Sequence, residues 1–573
     1  MLFGIALVFL SNYFSLKIPK IIRESLDFIF AKIEAQPDGA GNFSDLYGDE
    51  ILIFSGKVIG VALIGGIFLY FTRQTIIVMS RLIEYDLRRD IFDKYEQLDT
   101  AFFKVTKTGD LMSRVSEDVN KVRMYIGPVL LYSSNLIFTF FLVIFAMFAV
   151  SPKLSFFTLL PLPILSISIY YVSSIINKKS TIIQTQLAKI NSVAQEVFSG
   201  IRVVKSYVKE DKFGAHFESE CEDYKEKNID LARVNAYFFP LMILLISLST
   251  LLTIYVGGTM VVNGEITAGT LAEFVLYVNI LTWPFTAIGW MVSIIQEAEA
   301  SQKRINEFMN VEPKIYNQAD AQELNILEGH IEFNDVTFDY PDTNVRALEK
   351  INFTIEPGQK FAIIGKTASG KTTIADLLLR LYDASSGTIK IDGKDIREHN
   401  LGQLRNRIGY VPQDSFLFSD SVSNNIRFGN AAATQEDIEH FARQASVHED
   451  ILQFPEGYET RIGERGVTLS GGQKQRVSIS RAFIKNPDIV ILDDCLSAVD
   501  ANTENAILSY LNTALKGKTS IIITHRFYNL LNFDKIIVLD EGKIAEIGSH
   551  DELMKIKGFY AEQYQNQLVD SHN

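Results

Sequence analysis

The stretch Gly365-Lys-Thr-Ala-Ser-Gly-Lys-Thr372 decides the fold of the second half of this chain. It follows the apolar run Phe361–Ile364, which predicts a buried strand, and it precedes a segment with helical spacing that continues to about Tyr382. The pattern G-x-x-x-x-G-K-[ST] between a strand and a helix is typical of a phosphate-binding loop. Its glycines let the backbone curve so that N–H groups and the helix N-terminus point at negatively charged phosphates.

The side chains of this loop predict how a nucleoside triphosphate is held. We expect Lys371 to reach the β- and γ-phosphates, and we expect the Thr372 hydroxyl to bind Mg²⁺. The predicted nucleotide-binding residues of this region are Gly365, Lys366, Thr367, Ala368, Ser369, Gly370, Lys371, Thr372 and Thr373.

A second apolar run, Ile489–Leu492, ends in two adjacent acids, Asp493 and Asp494. The run predicts a strand, and an acid at the carboxyl end of a parallel strand lies at the edge of the sheet where ligands bind. We therefore expect Asp493 to hold Mg²⁺ beside the phosphate-binding loop, directly or through water. The alternative is that this acid only caps the following helix.

The stretch Leu469-Ser470-Gly471-Gly472-Gln473 precedes the helical segment Lys474–Ile484 and predicts a second helix N-terminus that binds an anion. A single nucleotide rarely needs two such helix ends from one subunit. We therefore expect two chains to associate head to tail. In that pair each chain's Ser470, Gly471, Gly472 and Gln473 complete the nucleotide site of the other chain.

The first 310 residues contain apolar runs of the length that crosses a bilayer, which needs about 20 residues of helix. Met1–Phe14 lacks the basic start and the cleavage site of a secretory signal, so it predicts a first membrane helix that reaches about Phe30. Five further predicted spans are Ile51–Thr72, Gly127–Pro152, Leu154–Ile176, Val234–Val262 and Ile266–Ile295.

Charged residues inside two of these spans need partners. Lys17, Lys20 and Arg23 follow the first apolar run, and Glu273 is the only charge in the last predicted span. Charges at membrane depth are costly unless they face protein or water. We therefore expect the outer part of the first helix to face a cavity, partner helices or the membrane interface.

The connections between spans predict the orientation of the chain. Two long connections, residues 73–121 and 177–233, are rich in lysine and arginine, whereas the short connections contain only Lys32 and Lys153. Basic connections stay in the cytoplasm, so both termini are predicted there too. The long connections show helical periodicity, which predicts membrane helices extended into the cytosol; amphipathic surface helices are the alternative.

The composition divides the chain into a membrane part and a soluble part. We predict a transmembrane domain over residues 1–310, a linker over 311–330 and a nucleotide-binding domain over 331–573, where short β-rich runs alternate with helices. The fold class is thus an α-helical six-span membrane domain followed by an α/β P-loop nucleotide-binding domain. A net charge of −13 argues against a nucleic-acid partner.

The order of the motifs resembles an ATP-binding cassette (ABC) domain. The phosphate-binding loop matches the family's Walker A motif, the strand that ends at Asp493 matches Walker B, and Leu469–Gln473 matches the LSGGQ signature. Gln413 in Tyr410-Val-Pro-Gln, the stretch Ser497-Ala-Val-Asp500 and the pair Thr524-His525 match further family motifs. With six spans before one cassette, the chain is similar to the half-transporters of the ABC exporter family, which includes multidrug and lipid exporters.

The resemblance implies roles for residues outside the loop. Tyr340 is expected to stack on adenine, with a tyrosine packed in the core of a strand as the alternative. Gln413 is expected to contact Mg²⁺ and the attacking water, and His525 the γ-phosphate. The resemblance thus implies ATP and Mg²⁺ as ligands, a metal site of Thr372, Gln413 and Asp493, and a catalytic set of Asp494, His525, Gln413 and Lys371.

Asp494 departs from the family pattern, which has a catalytic glutamate at this position. Aspartate is one methylene shorter, about 1.5 Å less reach, and a misplacement of about 1 Å can cost on the order of 100-fold in rate. We expect this chain's own site to bind ATP well and to hydrolyse it slowly. Two interpretations remain: a heterodimer whose partner supplies the glutamate, which we favour, or a homodimer that contains two aspartates.

The combined prediction is ATP-driven export of a hydrophobic or amphipathic substrate across the cytoplasmic membrane. The chain is expected to lie in the lipid bilayer, to carry its cassette in the cytoplasm, to pair with a second half-transporter and to move a small molecule or a lipid. The alternatives are an ATP-gated channel and a regulatory subunit that binds ATP without efficient turnover.

Overall fold

The computed structural model describes residues 1–35, 43–318, 326–463, 469–496, 501–525 and 532–570. The chain divides into two units. The first unit comprises Met1–Lys94 and Gly109–Val311, and the second comprises Tyr95–Thr108 and Glu312–Asn573. The second unit therefore contains a short segment of the N-terminal half in addition to the C-terminal half.

Six helical stretches in the described residues are long and apolar enough to cross a membrane, as the sequence predicts. Each of the predicted spans lies largely within one of them. The stretches are Leu2–Glu34, Gly48–Gln97, Thr108–Val150, Pro152–Ser199, Glu210–Val262 and Ala268–Met309.

The helices of the N-terminal half are numbered in chain order. Between α5 and α6, and between α6 and α7, two π-helical turns, Arg114–Asp118 and Tyr125–Val129, continue the same helical path. The helices are α1 (Leu2–Ser15), α2 (Lys17–Ala35), α3 (Phe43–Gln97), α4 (Thr100–Val105), α5 (Thr108–Ser113), α6 (Val119–Met124), α7 (Leu130–Val150), α8 (Pro152–Leu159), α9 (Pro161–Ser199), α10 (Ile201–Ser206), α11 (Glu210–Val262) and α12 (Ala268–Met309).

Several of these helices are much longer than a membrane is thick. Helix α11 has 53 residues and α3 has 55, which at 1.5 Å per residue is about 80 Å. The hydrocarbon core of a bilayer is only about 30 Å thick. These helices are therefore long enough for the predicted extension beyond the bilayer.

The charges inside the spans find protein partners. Arg23 on α2 donates to Glu273 on α12 at 2.8 Å, and the Glu273 side chain is only 1% exposed. The Tyr277 hydroxyl donates to the other oxygen of Glu273 at 2.7 Å. Asp27 accepts from the backbone N–H of Gly269 at 3.0 Å, in the first turn of α12. The outer part of the first helix was expected to face a cavity, partner helices or the membrane interface, and Arg23 faces a partner helix.

The cassette contains two sheets. A four-stranded antiparallel sheet has the order β2-β1-β4-β5, and a six-stranded sheet has the order β10-β9-β3-β8-β7-β6. In the larger sheet β9, β3, β8, β7 and β6 are parallel, and β10 is an antiparallel edge strand. The strands are β1 (Ile331–Asp339), β2 (Arg346–Ile355), β3 (Lys360–Gly365), β4 (Ser386–Ile391), β5 (Lys394–Asp395), β6 (Ile408–Val411), β7 (Ile489–Asp493), β8 (Thr519–Ile523), β9 (Lys535–Asp540) and β10 (Lys543–Gly548).

The central strands are buried along almost their whole length, which explains their mostly apolar sequence. Every residue of β7 and of β8 is buried, and only Lys360 of β3 is partly exposed. Such runs are typical of parallel strands with both faces covered. Because the three strands are neighbours and parallel, the residues that follow them meet at one edge of the sheet.

The helix after the phosphate-binding loop ends earlier than predicted. Helix α13 (Lys371–Leu378) stops four residues before Tyr382. The backbone turns at Arg380, which has a left-handed φ of 47°, and the N–H of Leu381 donates to the carbonyl of Asp376. The apolar spacing continues past the end of the helix because the following residues still pack into the core.

The remaining helices of the cassette surround the sheets. The predicted helix over Lys474–Ile484 is present and begins three residues earlier, at Gly471. The helices are α14 (Leu401–Arg407), α15 (Val422–Arg427), α16 (Gln435–Gln444), α17 (His448–Leu452), α18 (Gly471–Phe483), α19 (Ala501–Ala514), α20 (His550–Ile556) and α21 (Phe559–Asp570).

Candidate nucleotide-binding site

A cavity of about 360 Å³ lies at the carboxyl edge of the parallel sheet. Most of the residues that the sequence predicted for nucleotide binding line it, whereas Gly365, Lys366 and Ser369 of the loop do not. The predicted residues in its wall are Tyr340, Thr367, Ala368, Gly370, Lys371, Thr372, Thr373, Gln413, Asp493, Asp494 and His525.

The phosphate-binding loop is shaped by two glycines. A Cβ atom at Gly365 would collide with the carbonyl oxygen of Leu539 on the adjacent strand. Gly370 has a φ of 98°, and a Cβ there would lie 2.5 Å from the carbonyl oxygen of Ala347. Neither position accepts a side chain without moving backbone, so the loop approaches its neighbours more closely than other residues allow.

Lys371 projects into the loop rather than into solvent. Its ammonium group donates to the carbonyl oxygens of Gly365 at 2.9 Å and of Lys366 at 2.6 Å. Burial lowers the pKa of Lys371, and the nearby Asp493 and Asp494 carboxylates oppose that shift. The side chain therefore places a cation at the phosphate-binding loop, where a phosphate would lie.

Asp493 and Thr372 form a pair of oxygen donors at the base of the cavity. Asp493 ends β7 and is 2% exposed. Burial raises the pKa of Asp493, whereas its hydrogen bond with the Thr372 hydroxyl and the charge of Lys371 lower it. The Oδ2 atom of Asp493 is buried without a hydrogen-bond partner in the described residues. A buried carboxylate oxygen of this kind, beside a hydroxyl, fits a divalent cation.

The arrangement also fits the coordination that Mg²⁺ prefers. No group of three or more His, Cys, Asp or Glu side chains in the described part of the chain could hold a metal ion by itself. Mg²⁺ at nucleotide sites is bound by one or two protein oxygens together with phosphates and water. Gln413, which follows β6, lines the same cavity and can supply a further oxygen.

Asp494 and His525 lie together where neighbouring strands β7 and β8 end. The Nδ1 atom of His525 is 3.1 Å from Oδ1 of Asp494. The backbone of Asp494 has a left-handed φ of 45°, and its N–H donates to the carbonyl of Ile523 at 2.8 Å. The carboxylate is 10% exposed and the imidazole is 56% exposed. A carboxylate thus orients an accessible imidazole, which is the geometry of a base with its positioning partner.

Tyr340 follows β1 and borders the other end of the cavity. Its hydroxyl forms a 3.0 Å hydrogen bond with the Thr373 hydroxyl on α13, and its ring makes an edge contact with Tyr382. Burial raises the pKa of Tyr340. The tyrosine thus packs against the core and also lines the cavity, and stacking on adenine stays a prediction.

Four residues of the cavity wall are not among the predicted site residues, although Thr524 belongs to a motif that the sequence shows. Val345, Arg346 and Ala347 lie where β2 begins, and Thr524 lies between β8 and His525. The N–H of Tyr340 donates to the carbonyl of Val345 at 3.0 Å, which closes the turn between β1 and β2. Recognition of this β-hairpin would have placed residues 345–347 beside Tyr340.

The signature residues lie apart from this cavity. Ser470 caps α18 and forms a capping box with Gln473, in which each side chain accepts from the other's backbone N–H. Ser470 and Gly471 are exposed, and none of the four predicted signature residues lines the cavity. The predicted stretch Ser497–Asp500 lies outside the described residues.

Known proteins resemble the chain over almost its whole length. Residues 1–285 match the family model described as ABC transporter transmembrane region, and residues 348–497 match the model described as ABC transporter. The chain is 37% identical over 523 residues to the multidrug resistance-like ATP-binding protein MdlA of Escherichia coli (strain K12), which covers 91% of the chain and 88% of that relative.

Two further similarities extend over both units. The chain is 36% identical over 569 residues to the probable multidrug resistance ABC transporter ATP-binding/permease protein YheI of Bacillus subtilis (strain 168), covering 99% of the chain and 95% of that relative. The solved structure of a bacterial Atm1-family ABC exporter with ATP bound matches with a TM-score of 0.80 at 25% identity. That match covers 99% of this chain and 97% of the exporter chain.

Proposed function

Because the chain belongs to the exporter-type ABC transporters, we propose that it acts as one half of a dimeric exporter for a hydrophobic or amphipathic compound. The chain is a multi-pass membrane protein with a cytoplasmic ATP-binding domain, and its ATPase activity is coupled to export. The dimer, the class of substrate and the roles of individual residues belong to the proposal.

The position of the signature helix carries the proposal of a dimer. The N-terminus of α18 presents the exposed Ser470 and Gly471, and these residues do not line the chain's own cavity. A helix N-terminus with a capping serine attracts phosphate. In a head-to-tail pair this surface of each chain covers the ATP held by the phosphate-binding loop of the other chain.

Mg²⁺ belongs to the proposal because the residues at the base of the cavity fit it. Thr372, Gln413 and Asp493 would hold the ion. When bound, it neutralises charge on the β- and γ-phosphates. The three residues present a hydroxyl, an amide and a buried carboxylate, which are the hard oxygen ligands that the ion prefers.

The hydrolysis step follows from the geometry of the remaining residues. Lys371 binds the β- and γ-phosphate oxygens and so stabilises the charge that the leaving ADP acquires. His525, held by Asp494, contacts the γ-phosphate and the water that attacks it. As the new P–O bond to water forms and the bond to ADP breaks, the Asp494–His525 pair takes the proton that the water loses.

The short side chain of Asp494 supports an unequal pair of sites. Its carboxylate lies 3.1 Å from the His525 ring in the cavity wall, and a glutamate in its place would reach about 1.5 Å further into the cavity. We infer a slow site on this chain's own phosphate-binding loop. A partner that carries the glutamate would form the faster site together with this chain's signature, and a homodimer with two slow sites is the second possibility.

The proposed substrate class rests on the apolar surface of the membrane unit. Phe141, Phe145 and Phe156 are each more than 60% exposed in the single chain. Such rings suit an amphipathic or hydrophobic cargo, although lipid contact accounts for the same exposure. Both relatives named above carry multidrug resistance in their names, which supports the same class.

The proposal is tested by purifying the chain without a partner and reconstituting it in lipid vesicles. ATP hydrolysis is measured for the native chain, Lys371→Ala and Asp494→Glu, together with efflux of an amphipathic fluorescent dye. Turnover by the lone chain that Lys371→Ala abolishes contradicts the obligate heterodimer. Activity that requires a second, glutamate-bearing chain contradicts the homodimer.

The alternatives have their own outcomes in the same vesicles. Passive ion current that ATP opens, without dye accumulation, indicates a channel. ATP binding without hydrolysis or efflux in any pairing indicates a regulatory subunit. The aspartate at position 494, where the family has a glutamate, makes this the stronger of the two alternatives.

A further inference from the structure

The short helix α4 is anchored on the cassette by contacts of its own. Within the second unit, Asp99 accepts from the N–H of Phe102 at 3.1 Å and so caps α4. The other oxygen of Asp99 accepts from the N–H of Lys314 at 3.0 Å. Ala101 packs against the hydrophobic core of the cassette. The segment Tyr95–Thr108 therefore has a defined position next to β1 and α13.

Lys104, in the last turn of α4, contacts the tyrosine that borders the nucleotide cavity. Its ammonium nitrogen lies 4.0 Å from the centroid of the Tyr340 ring, well within the range of a cation–π interaction. The same nitrogen is 3.6 Å from Oδ2 of Asp342, whose side chain is 16% exposed. The two contacts hold the ammonium over the ring.

The Tyr340 ring contacts the Lys104 ammonium and also lines the cavity. Tyr340, Val345 and Ala347 line the cavity, whereas neither Lys104 nor Asp342 does. The hydrogen bond between the Tyr340 and Thr373 hydroxyls fixes the far end of the ring. One ring face is covered by a cation, and the proposal below places the nucleobase on the other face.

We propose that Lys104 is a positioning residue for the nucleobase, and that it strengthens binding of the base by acting through the ring of Tyr340. This inference rests on the proposed ATP site. An ammonium on one face of an aromatic ring attracts its π electrons, so the opposite face repels the π electrons of a purine less. The same contact holds the ring in the orientation that the base needs, which lowers the cost of ordering it on binding.

The proposal predicts that Lys104 contributes to binding of the base and does not contribute to binding of the phosphates. Binding is measured by calorimetry on the full chain in lipid nanodiscs without Mg²⁺, so that hydrolysis does not interfere. Lys104→Met keeps the aliphatic stem and removes the charge. It should lower the affinity for ATP about three- to tenfold. The affinity for inorganic tripolyphosphate, which has no base, should be unchanged.

Two further variants separate this effect from a general loss of structure. Lys104→Arg keeps a cation over the ring and should restore ATP affinity. Lys107→Met is the matched control, because Lys107 is an exposed lysine of the same segment that takes no part in the contacts with Tyr340 and Asp342. It should bind both probes like the native chain.

A double-mutant comparison tests whether the effect passes through Tyr340. In a Tyr340→Leu background, Lys104→Met should cause no further loss of ATP affinity. An equal loss for ATP and tripolyphosphate, or an undiminished loss in the Tyr340→Leu background, overturns the proposal. If Lys104→Met has no effect while Lys371→Ala still abolishes ATP binding, the inference fails and the proposed ATP site stands.

Discussion

At the residue scale, one methylene group determines how fast this chain's own site is expected to work. The Oδ1 atom of Asp494 lies 3.1 Å from the Nδ1 atom of His525. We predict that Asp494→Glu raises steady-state phosphate release at this site, on the order of 10- to 100-fold, because the longer carboxylate reaches the attacking water. Asp494→Asn has the same length without the charge and should lower release. An unchanged rate in Asp494→Glu would show that reach is not the limiting feature.

A partly buried acid on the helix of the phosphate-binding loop makes the stability of the cassette depend on pH. Burial and the nearby Asp493 raise the pKa of Asp376 to about 6, whereas Lys104 acts in the opposite direction. The folded cassette therefore binds this proton more tightly than the unfolded chain, whose aspartates have pKa values of about 3.9. This contribution to stability is fully present below about pH 4 and is lost as the pH rises through about 6.

Asp376→Asn removes the charge and should therefore stabilise the cassette most at neutral pH. We expect its melting temperature to exceed that of the native chain by about 2–4 °C at pH 7.5 and by less at pH 5. Thermal unfolding of the full chain in detergent, without Mg²⁺, measures both values. The exposed Glu328 gives the control Glu328→Gln, and a gain that is equal at the two pH values contradicts the assignment of the pKa.

At the element scale, a buried ion pair joins α2 to α12. Arg23 and Glu273 are 2.8 Å apart, and Tyr277 supplies a further hydrogen bond to the same carboxylate. Removing one member of a buried pair leaves a charge without compensation, which costs about 3–5 kcal/mol. We predict that Arg23→Met or Glu273→Gln alone lowers the melting temperature in detergent by several degrees.

The double variant distinguishes pairing from simple loss of packing. Arg23→Met combined with Glu273→Gln leaves no charge at this position. The double variant should therefore lose less in melting temperature than the sum of the two single losses. Lys153 and Glu265 form an exposed pair at 3.1 Å elsewhere in the same unit. The matched change Lys153→Met should cost little, because exposed pairs contribute about 0–1 kcal/mol. Strict additivity at Arg23 and Glu273 would contradict the role of the pair.

The elements also show which parts of the fold the sequence could predict. Five of the predicted spans are apolar runs longer than 18 residues, which cross a bilayer as helices, and the shorter run Met1–Phe14 was predicted as a span that continues to about Phe30. The end of α13 was misplaced because apolar spacing reports burial and not hydrogen bonding, and Arg380 changes the backbone without interrupting the burial. The position of α4 with the cassette was not foreseen, because contacts between residues as distant as Asp99 and Lys314 leave no local pattern.

At the scale of the whole molecule, the site divides into a local part and a part assembled by the fold. The sequence predicted the loop over 365–372 and the two acids at the end of β7, because each of these motifs consists of consecutive residues. The pairing of Asp494 with His525 depends on β7 and β8 being neighbours in the sheet. The residues at the start of β2 enter the cavity through a hairpin. The proposed second chain, whose site the exposed signature would complete, leaves no contact within one chain.

The last prediction concerns how two chains share their sites. If this chain lends its signature to a faster partner, Ser470→Ala should reduce ATP turnover of the assembled exporter more than Lys371→Ala does. Loss of a group that stabilises the transition state costs on the order of 100-fold, whereas Lys371→Ala disables only the slow site. Phosphate release by the co-purified pair measures both.

The capping role of Ser470 requires a control, because its hydroxyl also begins α18 and losing a cap costs about 1 kcal/mol of stability. Ser549 caps α20 with the same capping box, paired with Glu552, and α20 contributes no residue to the nucleotide cavity. Ser549→Ala should therefore lose a cap and keep its turnover. Equal losses in Ser470→Ala and Lys371→Ala indicate two equivalent sites, because in a homodimer each substitution damages both sites. A loss confined to Lys371→Ala contradicts a shared site altogether.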